Sequence, residues 1–173
     1  MWHLGAWLIG LCILTSGCAG KSGSAETAAW QDSKLPEWGC QVSLPGTPRK
    51  ETDAGKQTKL ILNTGDVIFL ASASEVPSGS EGPKRAETLF DAARQKFLTN
   101  NRGTMTEEKR LTLANRYPGR ELLLQTGDGD FRRVRMYLAP GRYYVLTVQG
   151  SRKATTSKDA EQFLGSLRLL PDK

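Results

Sequence analysis

The side chains best suited to recognition chemistry lie in one arginine-rich part of the chain. Residues 131–138 alternate in a pattern that predicts a β-strand, and side chains two positions apart on a strand share one face. Arginine and tyrosine combine a large contact area with hydrogen-bonding groups and are enriched at binding surfaces. We therefore expect a binding surface formed by this strand and its neighbours. Seven residues form it: Phe131, Arg133, Arg135, Tyr137, Arg120, Arg142 and Tyr143.

A second interpretation of these arginines stays open at this point. Arg133 and Arg135 can instead pair with carboxylates on adjacent strands, such as Glu121, or extend their aliphatic stems beneath a helix. In that case their charges serve the fold. The opposite face of the same strand carries four residues: Arg132, Val134, Met136 and Leu138.

The sequence excludes several kinds of catalytic chemistry. Its one histidine, His3, lies in a segment that we expect to be removed from the mature chain. Without histidine, the mature chain cannot use a Ser-His-Asp or Cys-His mechanism. It also cannot build the common histidine-containing zinc sites. The run from Gly127 to Asp130 lacks the spacing of an EF-hand loop and is typical of a hairpin turn. We expect no catalytic residue, metal or cofactor, although a mechanism using carboxylates alone or a lysine stays formally open.

The N-terminus has the pattern of an export signal. Residues 1–14 are mostly apolar, contain no Asp, Glu, Lys or Arg, and are too few to cross a bilayer. The small residues at 15–17 lead into Cys18, and the arrangement resembles the bacterial lipobox, in which that cysteine receives diacylglycerol. The alternatives are an ordinary signal cut nearby, for example after Ala19, and an uncleaved anchor. We expect a signal peptide at 1–17, a lipid-anchored flexible tether at 18–36 and one domain at 37–173.

Counting cysteines limits the redox chemistry of the mature chain. Cys12 leaves with the signal, and acylation would place the sulfur of Cys18 in a thioether. Cys40 is then the one free thiol, and its apparent strand position favours a small buried side chain. Without acylation, a disulfide between Cys18 and Cys40 becomes possible.

Positive charge is concentrated in the second half of the chain. Residues 19–81 contain six Lys and Arg against eight Asp and Glu, whereas residues 82–173 contain eighteen against ten. Such an excess can attract an anionic lipid, a nucleic acid or an acidic protein. The arginines alternate with acids, however, which favours a solvated surface and gives no reason to expect nucleic acid as a partner.

Hydrophobic periodicity predicts the elements of the domain. Two apolar runs around residues 64–66 predict a β-hairpin, and turn residues divide 111–149 into four strands of a meander. A helix is predicted from Pro83 to a glycine stop at Gly103, and Thr156 or Ser157 is expected to cap a final helix. The helical stripes are Ala86, Leu89, Phe90, Ala93 and Phe97 in the first helix, and Ala160, Phe163, Leu164 and Leu167 in the last.

This order of elements, β-β-β-α-β-β-β-β-α, resembles the PsbP-like superfamily. Four segments carry the resemblance: Leu44-Pro45-Gly46-Thr47-Pro48, Pro118-Gly119-Arg120-Glu121-Leu122, Arg133-Val134-Arg135-Met136-Tyr137, and Ala160-Glu161-Gln162-Phe163-Leu164-Gly165-Ser166-Leu167-Arg168. The resemblance implies an α+β fold in which an antiparallel sheet is flanked by helices in an α/β/α sandwich. It implies no shared active site, because the matched residues are core and turn positions.

These observations predict a non-enzymatic, lipid-anchored protein of the cell envelope, facing the periplasm or the cell exterior. Its partners would be the membrane, through the lipid on Cys18, and an envelope protein. The alternative function is a small-molecule or polyanion binder that uses the basic second half.

Overall fold

The computed structural model describes residues 29–52, 58–76 and 83–171. Within these ranges the chain forms ten strands, three α-helices and one short 3-10 turn at Pro36–Trp38. The strands are β1 (Gln31–Leu35), β2 (Cys40–Leu44), β3 (Arg49–Thr52), β4 (Thr58–Asn63), β5 (Val67–Glu75), β6 (Thr104–Leu113), β7 (Tyr117–Gln125), β8 (Phe131–Ala139), β9 (Arg142–Gly150) and β10 (Arg168–Leu169). The helices are α1 (Pro83–Asn100), α2 (Arg152–Thr155) and α3 (Lys158–Leu164).

The larger sheet has seven antiparallel strands in the order β3-β4-β5-β9-β8-β7-β6. The predicted hairpin is β4–β5, closed by a hydrogen bond of 3.0 Å from the Thr64 amide to the Val67 carbonyl. The predicted meander is β6 to β9. Its last strand returns to the hairpin by pairing with β5, so the two predicted units form one sheet.

Helix α1 covers one face of this sheet. Ala86 and Phe90 are each 1% exposed and pack against apolar side chains of β7 and β8. The whole predicted stripe of α1 belongs to this cluster, since Leu89, Ala93 and Phe97 pack at its margin. The apolar side chains at every second position of β8 thus pack against the apolar stripe that α1 presents at intervals of three to four residues.

A second sheet, in the order β1-β2-β10, and helix α3 cover the other face. Phe163 of α3 packs edge-on against Phe69 of β5, with ring centroids 5.3 Å apart. Tyr144 of β9 donates a buried hydrogen bond of 2.7 Å to the Trp38 carbonyl. Ser157 caps α3 by accepting from the Ala160 amide at 3.1 Å, which confirms one of the two predicted caps.

The α+β class and the helices on both faces are as expected, but the predicted end of the tether, at residue 36, is wrong. Residues 31–35 lie in the predicted tether, yet they form β1 and pair along the full length of β2. Leu35 is 4% exposed and Trp30 packs against the same core. The sequence does not predict β1 because most of its side chains are exposed. The strand therefore lacks the alternation of polar and apolar residues that marks a half-buried strand.

Three further elements were not predicted: β3, the short helix α2, and β10, which pairs with β2. As a result the structure has two sheets where one was expected. The expected signal peptide and Cys18 lie outside the described residues. Among the described helices, none is long and apolar enough to cross a membrane.

The assignment of β1 to the folded domain predicts a cost for truncating its one buried side chain. Leu35→Ala should lower the free energy of unfolding by about 3 kcal/mol, because it removes buried methyl groups from a packed core. Urea denaturation measures the loss. The neighbouring exposed residue provides the control, and Lys34→Ala should change stability by less than about 0.5 kcal/mol. Equal, small effects at both positions would mean that this segment is a tether after all.

Candidate functional site

A buried ionic cluster occupies the β7–β8 region beneath α3. Both Glu121 oxygens accept from Arg133 Nη2, at 3.0 and 3.1 Å, and Glu121 also accepts from Arg135 Nε. Glu161 of α3 accepts from Arg133 Nη2 at 2.6 Å and from Arg135 Nη2 at 2.5 Å. Lys109 of β6 completes the cluster, with its Nζ 2.8 Å from Glu121 Oε1. The two arginines therefore bind carboxylates of this same chain.

Charge compensation sets the protonation of this cluster. Burial by itself raises the pKa of Glu121, but hydrogen bonds from Lys109 and Arg135 outweigh it and hold the pKa below its ordinary value of 4.5. The pKa of Glu161 is lowered in the same way, against burial, by Arg135 and Arg133. Both carboxylates are thus ionised at neutral pH and neutralise the two guanidinium groups.

The seven residues expected to form one binding surface lie on two faces of the sheet. Phe131, Arg133, Arg135, Tyr137 and Arg142 face the second sheet and α3. Arg120 and Tyr143 face α1, because Arg120 pairs with Met136 and Tyr143 with Leu138 in the β-ladder. Of the seven, Arg120, Arg133, Arg135 and Tyr137 are buried. In the structure, Arg133 and Arg135 pair with Glu121, as the second interpretation of the sequence expected.

Arg120 belongs to a second ionic cluster that holds α1 on the sheet. Its Nη1 lies 2.6 Å from Asp91 Oδ1 and 3.0 Å from Glu108 Oε1, and its Nη2 binds Glu87. The guanidinium also lies over the Phe90 ring, 5.5 Å from the centroid. Burial acts to lower the pKa of Arg120, but its partners, Asp91 first, raise it overall.

A cavity of about 560 Å³ lies on the same face of the sheet as Arg120, between α1 and strands β4, β5, β8 and β9. We call it the α1 cavity. Its apolar wall includes Ile68 and Leu70 of β5, Phe97 of α1 and Val145 of β9, all of them half-buried. Its volume lies within the range of about 300–1,000 Å³ that is usual for small-molecule pockets.

Two buried polar groups in the α1 cavity have no hydrogen-bond partner among the described residues: Arg132 Nε and the Tyr143 hydroxyl. Leaving such a group unpaired costs about 1–3 kcal/mol in a folded protein. Burial lowers the pKa of Arg132 despite the opposing influence of Asp128 and Asp130, and burial also raises the pKa of Tyr143. These are the strongest signs of a binding site in the described structure.

Arg132 was not among the predicted site residues. The sequence does contain its signal, since Arg132 is the one charged side chain on a strand face that otherwise carries Val134, Met136 and Leu138. Tyr143 was predicted, but as part of a surface with Arg133 and Arg135, from which the sheet separates it.

Other candidate chemistry is accounted for by the fold. Cys40 is fully buried, and burial raises the pKa of its thiol to about 12. In the turn at 126–130, Asp128 accepts from the Thr126 hydroxyl, as expected of a hairpin connection. No group of three or more His, Cys, Asp or Glu side chains able to hold a metal occurs in the described ranges.

The fold defined by this sheet and its covering layers is PsbP-like. The chain is similar to the cyanobacterial PsbP protein CyanoP from Synechocystis, with a TM-score of 0.63 over 88% of this chain and 99% of that chain, at 13% identity. At that identity the similarity establishes the fold alone, and it confirms the fold class predicted from the order of elements.

Two other solved structures match less closely. A Pseudomonas aeruginosa protein of unknown function has a TM-score of 0.48 and 13% identity, covering 83% of this chain and 98% of that one. A Bacteroides thetaiotaomicron protein has a TM-score of 0.41 and 11% identity, covering 80% of this chain and 47% of that one. No protein-family model and no curated protein sequence matches the chain.

The cluster around Glu121 predicts a pH-dependent contribution to stability. Glu121→Gln should lower the free energy of unfolding by about 3 kcal/mol at neutral pH, because it leaves two buried arginines short of one negative charge. Since the folded-state pKa of Glu121 is lowered, its stabilisation is present above its unfolded value of 4.5 and is lost as pH falls through the folded-state pKa.

Urea denaturation of the wild type and the variant across this pH range measures the effect, and the difference between them should shrink at acid pH. Glu75→Gln is the control, because the Glu75 side chain is 82% exposed and lies 3.5 Å from Arg142 in a surface pair. A difference for Glu121→Gln that persists unchanged at strongly acid pH would contradict the electrostatic explanation.

Proposed function

We propose that this is an exported, lipid-anchored envelope protein whose domain binds a small molecule in the α1 cavity and does not catalyse a reaction. The observation that carries the proposal is the coincidence, in one cavity, of suitable volume, an apolar wall and two unpartnered buried polar groups. Small-molecule sites usually combine an apolar lining with a few polar groups that orient the ligand.

The cavity supports this function better than the arginine-bearing face of β8 supports a protein partner. Arg133 and Arg135 are already bonded to Glu121 and Glu161, so a partner would have to compete with ion pairs whose arginine side chains are buried. Truncating or displacing one member of such a pair leaves an uncompensated charge. An envelope protein partner would therefore need another surface.

A binding role also suits the reactive groups of the domain better than a catalytic one. The sequence has its one histidine ahead of Cys18, where cleavage would remove it. The Cys40 thiol is inaccessible, and its raised pKa keeps it protonated at neutral pH, whereas a cysteine nucleophile acts as the thiolate.

Attachment to a membrane is proposed from the lipobox-like residues ending at Cys18. A single acyl chain gives weak, reversible binding, whereas the several chains of a lipobox cysteine would hold the protein durably. The twelve residues from 19 to 30 separate Cys18 from β1, which begins at Gln31. The domain would then face the periplasm or the cell exterior.

Intact mass spectrometry of the membrane-extracted protein tests the attachment. The mature chain should begin at Cys18 and carry the additional mass of a diacylglyceryl group. The Cys18→Ala version should be released from the membrane fraction and lack that mass. A soluble wild-type protein of unmodified mass would refute the anchor while leaving the α1 cavity in place.

Native mass spectrometry of the same membrane-extracted protein tests the binding function. A non-covalently bound small molecule should be retained by the wild type and lost in Ala93→Trp, because Ala93 lines the cavity and the larger ring would fill it. Ala92→Trp is the matched control, since Ala92 is its exposed neighbour on α1 and should leave the bound mass unchanged. Absence of any bound molecule, or its equal retention by both variants, would count against the proposed function.

A further inference from the structure

Within the described residues, the half-buried Arg132 differs from the buried Arg120, Arg133 and Arg135, whose guanidinium groups all bind carboxylates. Three buried side-chain polar atoms lack a hydrogen-bond partner: Arg94 Nε, Arg132 Nε and Tyr143 Oη. Arg94 Nε lies 3.1 Å from Glu108 Oε2, so an ion pair compensates its charge. The remaining two groups both line the α1 cavity. The two buried polar atoms with neither a hydrogen bond nor an ion pair thus belong to residues that line the α1 cavity.

The register of the sheet places these two groups at opposite ends of the cavity. Arg132 pairs with Gln149 of β9, whereas Tyr143 lies six residues earlier on that strand. Six residues of β-strand span about 20 Å. Leu70 and Val145 line the wall between the two ends, together with Ser72 and Thr147, and Ile68 lies at the Arg132 end, opposite Gln149. The cavity is therefore elongated, with Arg132 at one end, Tyr143 at the other and a partly apolar wall along its length.

The polar ends differ in chemistry. An arginine can only donate hydrogen bonds, so Arg132 requires an acceptor, and its charge favours an anionic one. The described lining includes Lys59 and Lys96 but no carboxylate. Asp128 and Asp130 influence Arg132 from the adjacent turn, although Asp128 already accepts from the Thr126 hydroxyl.

Tyr143 presents a hydroxyl that stays protonated, because burial raises its pKa. It can donate to an uncharged oxygen such as a hydroxyl or carbonyl. Its ring packs against Phe90 of α1, with centroids 6.3 Å apart, which fixes the direction of the hydroxyl group.

We infer that the α1 cavity binds an elongated amphipathic acid. The acidic group lies at Arg132, the apolar chain lies along Ile68, Leu70 and Val145, and a distal hydroxyl or carbonyl oxygen accepts from Tyr143. This inference rests on the proposed binding function and specifies its ligand class.

Three probes of matched length separate these features: 10-hydroxydecanoate, decanoate, which lacks the distal oxygen, and 1,10-decanediol, which lacks the acid. Binding is measured by calorimetry on the exported full chain carrying Cys18→Ala, which has no attached lipid to bind the probes. The hydroxy acid should bind most tightly. Loss of the acid should weaken binding by about tenfold or more, and loss of the distal oxygen by about fivefold.

Variants assign these differences to the two residues. Arg132→Gln should reduce the affinity for the hydroxy acid to that for the diol, and Arg132→Lys should retain part of it. Tyr143→Phe keeps the ring against Phe90 and should reduce the affinity for the hydroxy acid to that for decanoate. Arg85→Gln is the charge-matched control, because Arg85 is an exposed residue of α1 outside the cavity lining.

The possible results have different consequences. Equal affinity for the acid and the diol would overturn the acidic group at Arg132, and no effect of Tyr143→Phe would overturn the distal contact. If no probe binds but the native protein retains a molecule that Ala93→Trp removes, the ligand class is wrong and the binding function stands. If neither the probes nor a native molecule binds, both are refuted.

Discussion

Neutralisation of buried arginine charge is the constraint on which this structure depends. Glu121 and Glu161 together bind Arg133 and Arg135, and because Glu161 belongs to α3, the same ion pairs fasten that helix to β8. On the opposite face, Arg120 bonds to Glu87 and Asp91 and fastens α1 to β7. Buried pairs of this kind add little net stability compared with an apolar core, but losing one partner is costly, so they fix where each helix docks.

The position of α1 then creates the candidate site. Its N-terminal half is held over β7 and β8 by the Arg120 cluster and by Phe90, which is 1% exposed. The β5 face beside it remains only partly covered, so Ile68 and Leu70 are half-buried and line the α1 cavity. Unlike the buried arginines of the ionic clusters, Arg132 Nε and the Tyr143 hydroxyl have no hydrogen-bond partner within the described residues. A bound ligand would explain these unpaired atoms physically.

The parts of the fold predicted correctly are those whose pattern is local. Periodicity and turn residues within a short stretch predict each of them: the stripe of α1, the β4–β5 hairpin and the β6–β9 meander. The missed elements β1, β3 and β10 are edge or short strands with exposed side chains. β10 pairs with β2, which is distant in sequence, and no local pattern encodes such a partner. β1 and β3 pair with the strands that follow them in the chain, but their exposed side chains lack the alternation of a half-buried strand.

For the candidate site, the sequence by itself determined the residue types and the side of each strand on which they lie. It therefore placed Arg133 and Arg135 on one face and Arg132 on the other. Only the tertiary structure decided which of these arginines meet carboxylates. Glu161 reaches Arg133 from a helix 28 residues away in sequence, whereas no carboxylate hydrogen-bonds Arg132 Nε within the described ranges. Whether an arginine is a structural ion pair or a binding group depends on that long-range packing, because its charge is the same in both environments.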